Sequence, residues 1–292
     1  MKILLALMWL LHWLPLPVLG RIGKGIGSVL FIQMRTRRRI TMTNLRLCFP
    51  ALSESQRRGL ARAHFQGYAR SILERGILWW APPARLKRLI RIDPGMPGAQ
   101  ISKSPTILLC PHFVCLEVAG TAISMAGPAC SIYTPQRNKV FDKALRKGRL
   151  RFTQDASSLV AREAGVKPII RKMKKGHPFL MLPDMDFGRR ESIFTPFFGV
   201  PAATLTAPAR LTNATQGQVI PVVTCFLPHY QGWKVTFYPA WENYPEHDIE
   251  AATRRMNAFI EARVREAPAE YFWSHKRFKT RPPGEPDFYD KA

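Results

Sequence analysis

Residues Ile3 to Leu19 are apolar except at His12, Pro15 and Pro17. A run of that length is about the shortest that crosses a bilayer as a helix, so it predicts an N-terminal hydrophobic membrane helix. A second apolar stretch, Ile26 to Met34, is too short to span and suits the membrane interface. Beyond it the pattern becomes that of a globular chain. Ser53-Glu-Ser-Gln56 is a capping box, and Ala61, His64, Phe65, Tyr68 and Ile72 follow at spacings of three and four. This predicts a long helix with one buried face, ending before Pro82-Pro83, with Arg57, Arg58, Arg62 and Arg70 largely solvated. Asp93-Pro94-Gly95 reads as a turn.

From Thr106 onward, short apolar runs alternate with helical periodicity. Strands are expected at Thr106–Cys110, Ser131–Thr134, Phe179–Leu182, Val219–Cys225 and Lys234–Tyr238. Helices are expected at Phe113–Met125, Lys139–Arg151, Ser157–Ala164, Ile169–Lys175, Thr204–Thr215 and Ile249–Glu266. The alternation implies an α/β layered domain with a central mixed, partly parallel sheet flanked by helices. Residues 1–40 would form a membrane anchor with a basic interfacial segment, and 41–292 one domain. The tail after Arg277, rich in proline and charge, is expected to lie on the surface or fray.

Charge changes the picture more than composition does. The 292 residues carry 44 Lys and Arg against 20 Asp and Glu, a net +24. Such an excess favours polyanions: an anionic membrane surface, acidic or phosphorylated partners, or nucleic acid. No zinc-knuckle spacing and no RNP-like aromatic motif supports nucleic acid. The five cysteines are odd in number and form no Cys-x-x-Cys pair, which argues against a disulfide framework or a zinc site. No metal or cofactor is expected. Arg21, Lys24, Arg35, Arg37, Arg38 and Arg39 follow the first apolar run, and no small-x-small cleavage site does. By the positive-inside rule these residues, and everything after them, stay on the cytoplasmic side.

Candidate chemistry centres on Thr106-Ile-Leu-Leu-Cys-Pro-His112-Phe-Val-Cys-Leu-Glu117. A strand ends, a histidine follows, and a carboxylate comes five positions later. His112 is the only one of the seven histidines with that spacing. Chance alone supplies such a match about half the time, so the surroundings decide. A base and a group that orients it, at the carboxyl end of a strand, suit acyl transfer to a hydroxyl. Five residues rotate about 140° on a regular helix, so the pair requires His112 in a loop and a helix starting just after it. Cys110 and Cys115 flank His112 and offer an alternative nucleophile. Arg137 and Asn138 follow the second expected strand, where an arginine suits an oxyanion or a phosphate. Asp184, Asp186, Gly188 and Arg189 follow the third. Trp273-Ser-His275-Lys276-Arg277-Phe278-Lys279-Thr-Arg281-Pro interleaves aromatic and basic residues.

With these segments assembled, the chain resembles the bacterial lipid A biosynthesis acyltransferases of the wider glycerolipid acyltransferase superfamily. The likeness runs almost end to end, through Asn44-Leu45-Arg46-Leu47-Cys48-Phe49-Pro50, His112 with Glu117, Thr134-Pro-Gln-Arg137-Asn138, Pro183-Asp184-Met185-Asp186-Phe187-Gly188, Pro196-Phe-Phe-Gly199 and the Trp273–Arg281 segment. Met185 stands where relatives more often carry Gln. The resemblance implies transfer of an acyl chain from acyl carrier protein to a hydroxyl of a 3-hydroxyacyl chain on a Kdo-bearing lipid A precursor, on the cytoplasmic face of the bacterial inner membrane. In that reading His112 is the general base, Glu117 orients it, and no covalent acyl-enzyme forms. Arg137 or a backbone nest steadies the oxyanion. Asp186, Gly188 and Arg189 shape the acceptor site. Two rivals are a lysophospholipid or other glycolipid O-acyltransferase with the same chemistry, and a non-catalytic basic membrane-associated binding protein.

Overall fold

The structure is a computed structural model. It describes residues 1–95, 101, 103–153, 155–245 and 248–289. Its spine is helix α4, Glu54–Trp80. The capping box forms as written: the Gln56 N–H donates to Ser53 Oγ at 3.2 Å and the Ser53 N–H to Gln56 Oε1 at 2.8 Å. The helix stops at Ala81, before the two prolines, after about 40 Å. Three earlier helices pack on or beside it: α1 (Lys2–Leu11), α2 (Leu16–Gln33) and α3 (Arg35–Cys48). A short helix α5, Pro83–Leu89, follows.

Downstream lies a seven-stranded sheet in the order β1-β9-β8-β2-β5-β3-β4. Its strands are β1 (Ile90–Asp93), β2 (Thr106–Leu109), β3 (Cys130–Tyr133), β4 (Leu159–Ala161), β5 (Phe179–Met181), β8 (Gln218–Phe226) and β9 (Trp233–Phe237). All pairings are parallel except β8 with β9. Strand β2 runs through the middle, between β5 and β8, with all four residues buried. Its alternation divides the interior. Ile107 and Leu109 join the core that holds Phe65, Phe179 and Met256, whereas Leu108 and Cys110 join the one that holds Ile77, Val118 and Trp233. The remaining helices are α6 (Glu117–Ala126), α7 (Lys139–Arg149), α8 (Lys167–Lys174), α9 (Ala207–Thr215) and α10 (Ile249–Glu266). A separate antiparallel hairpin pairs β6 (Ser192–Phe197) with β7 (Val200–Leu205).

Three expectations need correction. Among the described residues no helix is long and apolar enough to cross a membrane. The apolar run at Ile3–Leu19 is broken at Pro15, which caps α2, so it makes two helices rather than one spanning helix. Helix α3 runs through residue 40 without a break. The stretch expected as a helix at Ser157–Ala164 is the edge strand β4 between two short 3-10 turns. Arg70 is buried rather than solvated, because it lies under the rings of Phe226 and Tyr230 and pairs with Glu74.

The C-terminal tail is also built into the body. Phe278, Arg277, Arg281 and Tyr289 are buried. Asn44 of α3 donates to the carbonyls of Trp273 and His275, both at 2.7 Å. Arg277 donates to the Ala203 carbonyl and Thr204 Oγ1 of β7, each at 2.8 Å. The segment behaves as a strap, fastened to the start of the chain and to the hairpin by donors that the sequence reads only as surface charge.

Candidate active site

Strands β2 and β5 are parallel neighbours in register, Leu109 beside Met181. Each leaves the sheet by the same short path: Cys110-Pro111-His112 after β2, Leu182-Pro183-Asp184 after β5. His112 and Asp184 therefore emerge side by side at the carboxyl ends of adjacent strands, where open α/β sheets place their sites. Asp184 Oδ1 lies 2.7 Å from His112 Nδ1, and Asp184 Oδ2 accepts the His112 backbone N–H at 2.9 Å. Burial pushes the Asp184 carboxyl up, but the His112 charge and these two hydrogen bonds outweigh it and hold the group below its ordinary value. A carboxylate at Nδ1 fixes the proton there and leaves Nε2 as the basic nitrogen.

The loop that carries His112 is held from its other side by the strap. The Phe272 N–H donates to the His112 carbonyl at 2.9 Å, the Val114 N–H to the Glu270 carbonyl at 2.8 Å, and Phe113 bridges Tyr271. Helix α6 then begins at Glu117, so His112 sits in a loop just before a helix start, as the spacing requires. The partner is not the expected one. The Glu117 carboxylate is gripped by Arg149 at the end of α7, which donates from Nη2 to Oε1 and from Nε to Oε2, the latter at 3.1 Å. Asp184 occupies Nδ1, so it, rather than Glu117, orients the imidazole. Burial pushes the Glu117 carboxyl up, and the charges of Arg149 and Arg75 more than reverse this, leaving it at about 2.

His112 and Glu117 open onto one cavity of about 610 Å³, within the range of small-ligand sites. Trp79, Ile123, Phe141, Leu145 and Leu180 give it apolar walls. Three arginines reach it. Arg149 is committed to Glu117. Arg162 is exposed and lies 4.9 Å from the centre of the Phe187 ring. Arg75, from α4, has a shielded Nε with no hydrogen-bond partner among the described residues, and its charge acts on Glu117. Neither Arg75 nor Arg149 stands out in the sequence, because one is buried in a helical repeat and the other in a basic run.

The other candidates lie elsewhere. Arg137 is exposed and does not line the cavity, although its neighbour Gln136 does. Asn138 caps α7, accepting the Phe141 N–H at 3.0 Å. Asp186 faces away from the cavity, where its oxygens accept from the Gly188 N–H and from the Thr280 N–H and hydroxyl at 2.6–2.9 Å. Gly188 takes φ +86°, a conformation open to glycine. Arg189 donates to the Arg281 carbonyl at 2.9 Å. These three residues fasten the β5 loop to the strap, while the alternate residues Met185 and Phe187 face the cavity. Cys110 and Cys115 are fully shielded and burial pushes both thiols well up, so neither supplies a thiolate nucleophile. Among the described residues no cluster of three or more His, Cys, Asp or Glu is placed to hold a metal ion.

A sequence model of the bacterial lipid A biosynthesis acyltransferases matches residues 2–280. The lipid A biosynthesis lauroyltransferase of Escherichia coli K12 is 33% identical over 289 residues, covering 98% of this chain and 93% of its own. The palmitoleoyltransferase of the same organism is 30% identical over 288 residues, covering 98% and 92%. Among solved structures, the 1-acyl-sn-glycerophosphate acyltransferase PlsC of Thermotoga maritima aligns with a TM-score of 0.38 at 12% identity, over 84% of this chain and 97% of that one.

Proposed function

The chain belongs to the bacterial lipid A biosynthesis acyltransferases, and on that premise we propose that His112, oriented by Asp184, is the general base for transfer of an acyl chain from acyl carrier protein to a hydroxyl on a lipid A precursor. The observation that carries the reading is the position of Asp184. It holds the Nδ1 proton and leaves Nε2, which makes no hydrogen bond among the described residues, free to take a proton from the acceptor. The hydroxyl of a 3-hydroxyacyl chain gives its proton to Nε2 as its oxygen attacks the thioester carbonyl. The tetrahedral intermediate then collapses, the C–S bond breaks, and the sulfur departs with the proton returned by the imidazolium. Asp184 stabilises that imidazolium in between. A thioester is already activated, so no acyl-enzyme is required.

Arg75 lines the cavity and Arg137 does not, so Arg75 takes the part of the cation that meets developing negative charge. Its Nε is shielded and makes no hydrogen bond among the described residues, which leaves that N–H available to the developing charge. The Glu117–Arg149 pair joins the start of α6 to the end of α7 and so braces the cavity wall. The acidic carrier is accommodated by the outer face of α7. Lys143, Arg146 and Lys147 are exposed there, while Phe141, Leu145 and Gly148 of the same helix line the cavity.

The test is acyl transfer in vitro, with acyl carrier protein as donor and mass spectrometry of the acceptor. His112→Ala and Asp184→Asn are expected to lower kcat by about 10²–10⁴-fold with KM little changed. A lysophospholipid offered in parallel is expected to remain unacylated. A folded His112→Ala protein that transfers at the parent rate refutes the mechanism.

A further inference from the structure

Arg277 is a buried cation whose charge the fastening of the strap does not account for. It is 2% exposed, and its two Nη groups donate to neutral acceptors, the Ala203 carbonyl and Thr204 Oγ1. Its Nε is shielded and makes no hydrogen bond, and no carboxylate pairs with it among the described residues. A guanidinium taken out of water is costly unless an opposite charge offsets it. The Asp184 side chain is the complementary case. It is fully shielded, and its pair with His112 is ionic only while the imidazole is protonated.

Residues 271 to 277 bracket the two loops that carry this pair. Tyr271 bridges Phe113, next to His112, and His275 Nε2 accepts the Asp186 N–H at 3.2 Å, two residues after Asp184. The Tyr271 ring is buried, with its centre 6.0 Å from that of Phe113 and 5.9 Å from that of Phe197. Arg277 lies 5.0 Å from the centre of the same Phe197 ring. Against the burial of Asp184, the charges of His112 and Arg277 both favour its carboxylate. Each Asp184 oxygen keeps a lone pair beyond its bond to His112, and the Tyr271 hydroxyl donates to that carboxylate. Burial first, then the Asp184 charge, keep this hydroxyl protonated far above its ordinary range.

The titratable neighbours of Asp184 are His112 and Cys110 at the β2 exit, Asp186 two residues on, and Tyr271, His275 and Arg277 of the strap. Burial keeps the Cys110 thiol and the Tyr271 hydroxyl protonated. Burial, helped by the His112 and Arg277 charges, keeps His275 neutral down to about 4. With the His112 ring uncharged and ready for the acceptor, Arg277 is the cation left among these groups. We propose that Arg277 and Tyr271 are positioning residues of the acyl transfer proposed above, on which their role depends. Both act through Asp184, one by its charge and the other by its hydroxyl. They keep Asp184 a carboxylate between turnovers, so that the proton stays on Nδ1 and Nε2 stays the base.

Acyl transfer followed across pH separates this role from mere fastening. Arg277→Met removes a cation beside the His112–Asp184 pair, which then takes up its proton more readily. The acid limb of kcat/KM is expected to move to higher pH by about one unit. Arg277→Lys keeps the charge and is expected to hold the parent limb even where kcat falls. Tyr271→Phe loses one hydroxyl from an unchanged ring and is expected to move the limb the same way by a smaller step. Titration of the His112 ring by NMR of isotope-labelled histidine is expected to move with the limb. A lowered melting temperature with an unmoved limb in Arg277→Met overturns the proposal, since the residue then only ties the strap to the hairpin. Where Arg277→Met fails to fold, Tyr271→Phe decides, and an unmoved limb in that variant overturns it. A folded His112→Ala protein that transfers at the parent rate refutes instead the chemistry on which the role depends.

Discussion

Both oxygens of Asp184 are taken up by His112, one by the ring and one by the backbone, so ring and loop move as one unit. A second carboxylate nearby has the opposite character. Glu270 accepts the Phe226 N–H at 3.0 Å, and burial, aided by the neighbouring Glu74 charge, pushes its carboxyl up to about 7 against the Phe226 bond and Arg70. An unfolded glutamate releases its proton near 4.5. Between those values the folded chain binds more protons, so stability falls as pH rises through that window. The loss is on the order of 3 kcal/mol at pH 8. His64 and His275, which burial holds neutral down to about 4, act in the other direction over much of the same range. The difference between parent and Glu270→Gln isolates the effect: urea titrations at pH 5 and pH 8 are expected to show a smaller decline in the variant. At this scale the sequence singled out His112 and missed its partner. The clue was present in the two strand exits, Pro111-His112 and Pro183-Asp184. It becomes a signal only once β2 and β5 are known to be neighbours in register, which spacing along the chain does not state.

Helix α2 owes its seat to glycine. Replacing Gly27 with leucine puts a side chain where the Phe65 carbonyl and Gln66 Cα already are, each 2.4 Å from the new Cβ. Such overpacking costs about 1–3 kcal/mol, and a thermal melt is expected to fall by several degrees. Leucine at exposed Gly25, which has open space around it, is expected to leave the melt nearly unchanged. Elements with strong local signals were legible. The capping box and the two prolines bracket α4, and the apolar run of β2 marks a strand buried on both faces. Weak or tertiary signals were not. Strand β4 has three residues, and β6 carries Pro196, so neither reads as a strand without its partner. The N-terminal run was read from hydropathy alone, which does not register that one face of α2 is already occupied by α4.

The +24 charge is spread over surfaces of different use. If the exposed lysines and arginines of α7 receive an acidic carrier, raising salt from 50 to 300 mM is expected to raise KM for the carrier-bound donor severalfold while kcat stays constant. Equal KM values at both concentrations would place carrier recognition elsewhere. The strap carries a different consequence, one of timing. The loop behind Asp184 is tied to Thr280 and Arg281, and the His112 loop to Phe272. A chain emerging from the ribosome orders its early helices first. It cannot fix either half of the His112–Asp184 pair until the Phe272–Arg281 segment has been made. The two strands that carry the pair are thus synthesised long before the contacts that lock it.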